Sequence, residues 1–512
     1  MRLLMELRPA LDGHFGIPQE TRLLFSALAG LPEIELSGLL QMSKRMTLGG
    51  VTPHQKMSVA EQVHRYSRTV VSLKGSASVD WKAGLAGFIE EQVEHWRLRL
   101  AAYFGVGAVG LKQFETKFFE DFIWQTLFAR SVPSEERERI LACDHRVCAS
   151  PWRWMHLAGI ERKSLMRASG YPKLDAAEFD LFIAQTPYPA RLSGKTKLVV
   201  HYHDAIPVLM PHTISDRAFH EASHFNALAA NVRDGAHFVC VSEATRQDLL
   251  SLFPEAEPRS VTIHNMLPAH YYPSEPEPER LAGIMRRYQI GEFKPPLSKK
   301  NDRVYRLSRQ FGGEADKTAF YEQTFNPQTR FLLMVSTIEP RKNHRRLLEA
   351  WEVLRDRLDK DIKLVFVGHI GCDYKDLLPA CETWIEQGGL FMLQNVPADA
   401  LRVLYRQALV TVCPSVGEGF DFSGVEAMRC GGVVAASDIP VHREVYGDAA
   451  AYFNPYDTGS LVAALQNMAF SVDADAQLAA LREQGQLQSS CYLPEKVLPQ
   501  WADFLGKISS AD

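Results

Sequence analysis

No stretch of this 512-residue chain approaches the roughly eighteen uninterrupted apolar residues expected of a membrane span. The first residues, MRLLMELRPALDG, meet Glu6, Arg8, Pro9 and Asp12 before a signal-peptide core can form. A soluble cytoplasmic protein is therefore expected, with attachment to the inner face of a membrane left open. Charge of one sign is also scarce: the formal net charge is −4, which gives no sign of a nucleic-acid binder, whose domains usually carry a basic face. Any anionic ligand has to be gripped locally. Cysteine is sparse and scattered. Of the eight, only Cys143 and Cys148 lie close together, with His145 between them, and the second ligand pair of a zinc site is missing. Reduced, mostly buried thiols are the expectation.

What is present is apolar and periodic. Hydrophobic residues make up 46% of the chain, ample for two or three cores at about 100–200 residues per domain. Residues 1–40 alternate a short apolar run, the turn DGHFG, the helical pattern TRLLFSALAGL and a second strand, the start of a parallel sheet covered by helices. From 43 to about 180 the pattern turns helical, as in FIEEQVEHWRLRLAAYF and FETKFFEDFIWQTLFARSV, and reads as an insertion in an N-terminal domain spanning 1–270. Its Trp81, Trp96, Trp124, Trp152 and Trp154 serve either as core or as the wall of a ligand site. Strands return with FDLFIAQT, KLVVHYHD and HFVCVSE, whose polar ends place His203, Asp204, Ser242 and Glu243 where open α/β sheets collect ligands.

Residues 271–328, rich in proline and charge, are too long for an ordinary loop and read as an interdomain linker with an insertion. A second α/β pattern occupies 329–490: RFLLMVSTIEPRKN, KLVFVGHIG, LFMLQNV, LVTVCPS and GVVAASD alternate with helical segments, and a tail helix is expected over 491–512.

Within the second pattern, LVTVCPS reads as a strand and VEAMRCGG as a short helix, so GEGFDFSG is the strand-to-helix loop. Such a junction aims backbone amides at a helix N-terminus, where partial positive charge favours phosphate. Two glutamates, Glu418 and Glu426, stand eight positions apart across it. Metal ligation, acid/base work and binding of sugar hydroxyls are all open from the residues alone. So are plainer readings, in which Glu426 lies on a helix surface and Glu418 is satisfied by loop amides.

EGFDFSGVEAMRCGG followed by ASDIPVHREVYGDAAAYFNPYD resembles the donor-site signature of retaining family 4 glycosyltransferases of the GT-B fold. STIEPRKNHRRLLEAW, KLVFVGHIG, HDAIP and VSEATRQDLL are similar to the same family. The resemblance implies two Rossmann-like doubly wound domains facing a cleft, with residues 43–180 as an addition. It also implies that Glu418 lies beside the donor sugar, that Glu426 accepts from the ribose hydroxyls, and that the amides of Phe422, Ser423 and Gly424 face the diphosphate. Lys342 matches the family's diphosphate-binding lysine. Ser336 stands where many relatives carry an arginine, which leaves Arg341 as the nearest second cation, although neighbours in an extended loop point opposite ways. His203 matches a cleft-side histidine, with His201 weaker. Gly13 and Gly16 lie in the first strand-to-helix loop, which in the family closes over phosphate and acceptor. Asp421 replaces a common glycine, which places its carboxylate against a donor hydroxyl.

The implied activity is transfer of a hexose, mannose or rhamnose favoured, from a nucleotide-diphosphate sugar to a glycan or lipid-linked acceptor in bacterial surface-polysaccharide assembly. A GDP-sugar is the favoured donor, no metal or other cofactor is implied, and other transferases of the pathway are implied partners. A non-catalytic GT-B subunit and a sugar-nucleotide epimerase or phosphorylase are the alternatives.

Overall fold

The computed structural model describes every residue except 14–15, 53–55, 76–80, 167–169, 296–302, 373 and 511–512. The chain forms two compact units. The first comprises Met1–Pro211, Asp216–Pro268 and Pro494–Asp512; the second comprises His212–Ser215 and Ala269–Leu493.

The first unit is built on an eight-stranded sheet. From one edge the order is Ser260–Thr262, His237–Cys240, Lys197–Tyr202, Leu181–Ala184, Arg2–Glu6, Glu35–Leu40, Asp144–Cys148 and Leu111–Phe114. All neighbours are parallel except the last pair. Parallel strands covered on both faces must be apolar on both faces. Accordingly Leu3, Met5, Leu181 and Ile183 enter one core, while Leu4, Phe182 and Ala184 enter the core on the opposite side. The helix Pro494–Ser510 returns to this unit from the far end of the chain. Its Val497, Trp501, Leu505 and Ile508, spaced by four, four and three residues, join the core of Leu3 and Met5.

The insertion carries the helices Val59–Lys74, Trp81–Phe104 and Trp152–Met166, and it also lends the sheet the two strands at its edge. FETKFFEDFIWQTLFARSV does not form one helix. It breaks into a 3₁₀ turn at Thr116–Phe118, a single α-turn at Glu120–Ile123 and a π-helical turn at Trp124–Phe128, with Trp124, Leu127 and Phe128 buried. The side chain of Trp81 lies outside the described residues, and Trp96 is exposed. Burial pushes the Cys148 thiol up to about 12 and that of Cys143 up to about 11, so both stay protonated.

The second unit has six parallel strands in the order Leu390–Leu393, Lys363–Val367, Phe331–Val335, Val410–Cys413, Val434–Ser437 and Ala450–Phe453. The segment read as a linker is part of this unit. It folds as the helices Leu281–Tyr288 and Glu314–Thr324 with a small hairpin between them, and it buries Tyr305 and Leu307 in the core. Phe320, Tyr321 and Phe325 pack their rings against Phe391. Aromatic side chains spread thinly among prolines and charges supply enough apolar area to order it.

Candidate active site

In the second unit the strand order reverses between Phe331–Val335 and Val410–Cys413, which are neighbours in the sheet but far apart in sequence. The loops leaving their carboxyl ends diverge there, and the crevice they open is where doubly wound sheets take ligands. Residues 336–343 form the first loop and 414–421 the second. Asn343 joins them: it sits in the left-handed region at φ 63°, and its amide nitrogen donates to the carbonyls of Pro414 at 3.1 Å and Pro455 at 2.9 Å. The Val416 amide donates to the Arg341 carbonyl at 2.8 Å.

This stapling brings Arg341, Lys342 and Glu418 together. Arg341 Nη1 lies 2.7 Å from Glu418 Oε2, and Lys342 Nζ pairs with Glu418 Oε1. The expectation that Arg341 and Lys342 point opposite ways is corrected, because Pro340–Lys342 is a tight 3₁₀ turn rather than extended chain. Burial alone would raise the Glu418 carboxyl, but the two adjacent cations outweigh it and hold the group below the usual range. The Ser336 hydroxyl lies 3.3 Å from His344 Nε2.

The helix Phe422–Arg429 begins at the end of the second loop, slightly ahead of the sequence expectation. Asp421 caps it from the left-handed region at φ 61°, its Oδ1 accepting from the Ser423 amide at 3.3 Å and the Ser423 hydroxyl at 2.7 Å. The other carboxylate oxygen lies 3.2 Å from His442 Nε2. Both oxygens are thus engaged by the protein, one by the cap and one by His442. Burial pushes its carboxyl up, yet His442, Lys342 and Ser423 together hold it far below the ordinary value. Gly424 answers to packing as well: a Cβ there would come within 2.3 Å of the Tyr446 ring, whose hydroxyl donates to the Asp421 carbonyl at 3.1 Å. The first-turn amides that include Phe422 lack carbonyl partners within the helix, as at every helix start.

One turn on, Glu426 is buried, not a surface residue. The Tyr405 hydroxyl donates to its Oε2 at 2.9 Å, and the buried Tyr271 phenol lies within reach of the carboxylate's charge. Burial and then the charge of Glu426 raise both phenols well above their usual value, so they remain donors. Tyr271, Tyr405, His442 and Tyr446 were invisible as site residues in the sequence. Each acts across a separation of about twenty residues or more; His442 and Tyr446 stand within the quoted ASDIPVHREVYGD run, but nothing in it marks their contacts with Asp421.

His203 and Gly16 belong to the first unit. His203 follows the strand Lys197–Tyr202, buried, with Nε2 3.4 Å from Gln185 Oε1; Gln185 also lies 3.2 Å from His201 Nδ1. Burial lowers the His203 pKa to about 3, so the ring is neutral. His201 is buried and stacks edge-on to Trp501, 5.1 Å between ring centres. Gly16 precedes the helix Ile17–Leu28 at φ 66°, a backbone that favours glycine. Gly13 abuts Pro18, and the two residues between these glycines lie outside the described residues.

Residues 125–270 match the family model Glycosyltransferase Family 4, and residues 316–475 match Glycosyl transferases group 1. The chain is 35% identical over 133 residues to O-antigen chain mannosyltransferase B of Escherichia coli, a match covering 26% of this chain and 35% of that protein. It is 24% identical over 262 residues to O-antigen chain mannosyltransferase RfbU of Salmonella typhimurium, covering 49% of this chain and 70% of the relative. Sucrose-phosphate synthase from Thermosynechococcus elongatus superimposes with a TM-score of 0.55 at 13% identity, covering 100% of both chains. That likeness concerns the fold alone, which is GT-B: two Rossmann-like α/β domains.

Proposed function

Since the chain carries a glycosyltransferase family 4 domain followed by a glycosyltransferase group 1 domain, we propose that it is a retaining hexosyltransferase. It takes mannose, or the related rhamnose, from a nucleotide-diphosphate sugar, GDP-linked by preference. It places the sugar on a glycan or lipid-linked glycan in the cytoplasmic assembly of a bacterial surface polysaccharide, beside other transferases of that pathway. The mannosyltransferase names of the relatives support the choice of sugar.

The observation that carries the reading is the convergence of Arg341 and Lys342 on Glu418 at the sheet's switch point, one loop ahead of the helix that bears Glu426. A leaving nucleoside diphosphate develops negative charge as the bond from sugar C1 to phosphate oxygen breaks. Arg341, Lys342 and the first-turn amides around Phe422, Ser423 and Gly424 answer that charge with preorganised positive groups. Glu418 orients the sugar and keeps the two cations in place between turnovers. Glu426, braced by Tyr405 and beside Tyr271, accepts from the ribose hydroxyls through lone pairs that remain available. Asp421 fixes the start of the helix. In the first unit, His203 is a neutral hydrogen-bonding group toward sugar or acceptor, and Gly16 shapes the first loop.

No side chain is assigned as a nucleophile. The acceptor oxygen attacks C1 on the face the diphosphate leaves, its proton passes to the departing phosphate oxygen, and configuration is retained. The protein contributes position and charge.

Calorimetric titration with GDP, UDP and dTDP tests the reading. One nucleotide should bind tightly in the wild type and lose most of its affinity in Lys342→Ala. Equal binding by that variant would overturn the assignment of the diphosphate site.

A further inference from the structure

Over residues 89–104, the helix Trp81–Phe104 in the insertion is apolar on two opposite faces. Leu98 and Ala102 are buried in the core they share with Val109 and Met155. On the far side, Ile89, Val93, Trp96, Leu100 and Phe104 follow one another by four, three, four and four residues and are all exposed, Trp96 by 59% and Phe104 by 70%. At 100° per residue the five fall within an arc of about 80°, opposite Leu98 and Ala102. Val106, just past the helix end, is also 63% exposed. Single exposed apolar side chains need no explanation, but five in register on one helix form a continuous patch of the kind that meets a partner.

The surroundings of the stripe select the partner. Arg97 and Arg99 flank it on its two sides, and long stems of this kind cover apolar surface while their charged heads reach polar groups. Around the adjacent strand Leu111–Phe114, cations gather: burial and then the charges of Arg65, Arg68 and Arg97 lower the pKa of Lys112. Part of this charge is answered within the fold, since Arg97 pairs with Glu94 at 2.7 Å and Arg99 pairs with Glu161. Glu94 is itself buried and bonded to Ser150, whereas Arg68 is exposed. Glu90 and Glu91 lie toward the start of the described stripe. Among the described residues no helix is long and apolar enough to cross a membrane. An apolar face centred on tryptophan, edged by arginine and beside clustered cations, has the chemistry of a helix lying in a headgroup layer. The helix also lies outside both family matches, which begin at residues 125 and 316.

We propose that the outward face formed by Ile89, Val93, Trp96, Leu100 and Phe104 is an interfacial anchor that holds the first unit against an anionic phospholipid bilayer. Ile89, Val93, Trp96, Leu100 and Phe104 enter the acyl boundary, and Arg68, Arg97 and Lys112 meet the phosphates. This goes beyond the transferase reading and does not depend on it, because binding is measured without donor or acceptor.

The test is co-sedimentation of the full chain with vesicles of phosphatidylglycerol and phosphatidylethanolamine, beside vesicles of phosphatidylcholine alone. The chain should sediment with the anionic vesicles, release at high salt, and bind the neutral ones several-fold less. Trp96→Glu combined with Leu100→Glu should weaken partition by about tenfold or more. Arg68→Ala with Lys112→Ala should weaken it on the anionic vesicles only. An unchanged thermal midpoint verifies folding of each variant. A second readout covers the case in which the glutamate variant fails to fold: quenching of tryptophan fluorescence by brominated lipid should fall in Trp96→Phe. Absence of vesicle binding, or equal binding and equal quenching in the variants, overturns the proposal. So does a wild-type dimer that sediments with no vesicle and becomes monomeric in the glutamate variant, which would make a second copy of the chain the occupant.

Discussion

Glu418 neutralises two cations that would otherwise repel each other across one tight turn, so it couples the loops in both charge and position. Replacing Lys342 by alanine leaves a nearly buried carboxylate with Arg341 as its remaining close cation. Loss of a charge-assisted contact of about 1.5–3 kcal/mol should weaken nucleoside-diphosphate binding roughly 10- to 100-fold by calorimetry. Glu426→Gln keeps the shape but turns an acceptor pair into one acceptor and one donor, facing Tyr405 and Tyr271. Donor KM should rise at least tenfold, and a kinetic series with unchanged KM would remove Glu426 from the ribose site. The sequence displayed Glu418, Glu426 and Lys342 because they stand in short motifs. It hid the side on which Arg341 falls, since that depends on a 3₁₀ turn that neither apolar periodicity nor composition signals. It hid Tyr271 and Tyr405 for a different reason: they reach Glu426 only after the sheet has closed.

Among the elements, the strands were the most legible. Runs such as KLVVHYHD and RFLLMVST are buried on both faces, and no other short structure uses such runs so economically. The helix Phe422–Arg429 was legible in kind but not in start, because Asp421 caps it from a left-handed conformation that side chains other than glycine and asparagine rarely take. Gly424 is fixed by packing as well as by its place at the helix start, since a Cβ there would meet Tyr446. Gly424→Ala should therefore destabilise the second unit by about 1–3 kcal/mol through overpacking, seen as a lower denaturant midpoint, even without nucleotide. The insertion and the segment 269–328 were the least legible elements. Aromatic residues at irregular intervals there pack as short turns and a hairpin, for which neither the helical nor the strand period is a guide.

At the scale of the whole molecule, buried histidines set the response to acid. Burial lowers His145 to about 4, and His203 and His344 to about 3, against about 6.5 in an unfolded chain. Between those limits the unfolded state takes up protons that the fold refuses. Stability therefore falls as pH is lowered from about 6.5 and is regained as pH rises, by up to about 1.4 kcal/mol per unit for each histidine. Glu418 and Asp421, whose carboxyls are lowered, lose their contribution only below about 4, where unfolded carboxylates protonate. Chemical denaturation at pH 7 and pH 5 should show the loss before the carboxylates take part, and His203→Gln should flatten it.

The return of the helix Pro494–Ser510 to the first unit also orders events at the ribosome. Val497, Trp501 and Leu505 fill the core shared by Leu3, Met5 and Leu24, so that core stays open throughout synthesis of the second unit. The second unit can close as soon as residue 493 has emerged, while the unit translated first must wait for its last helix, holding apolar surface that a chaperone has time to find.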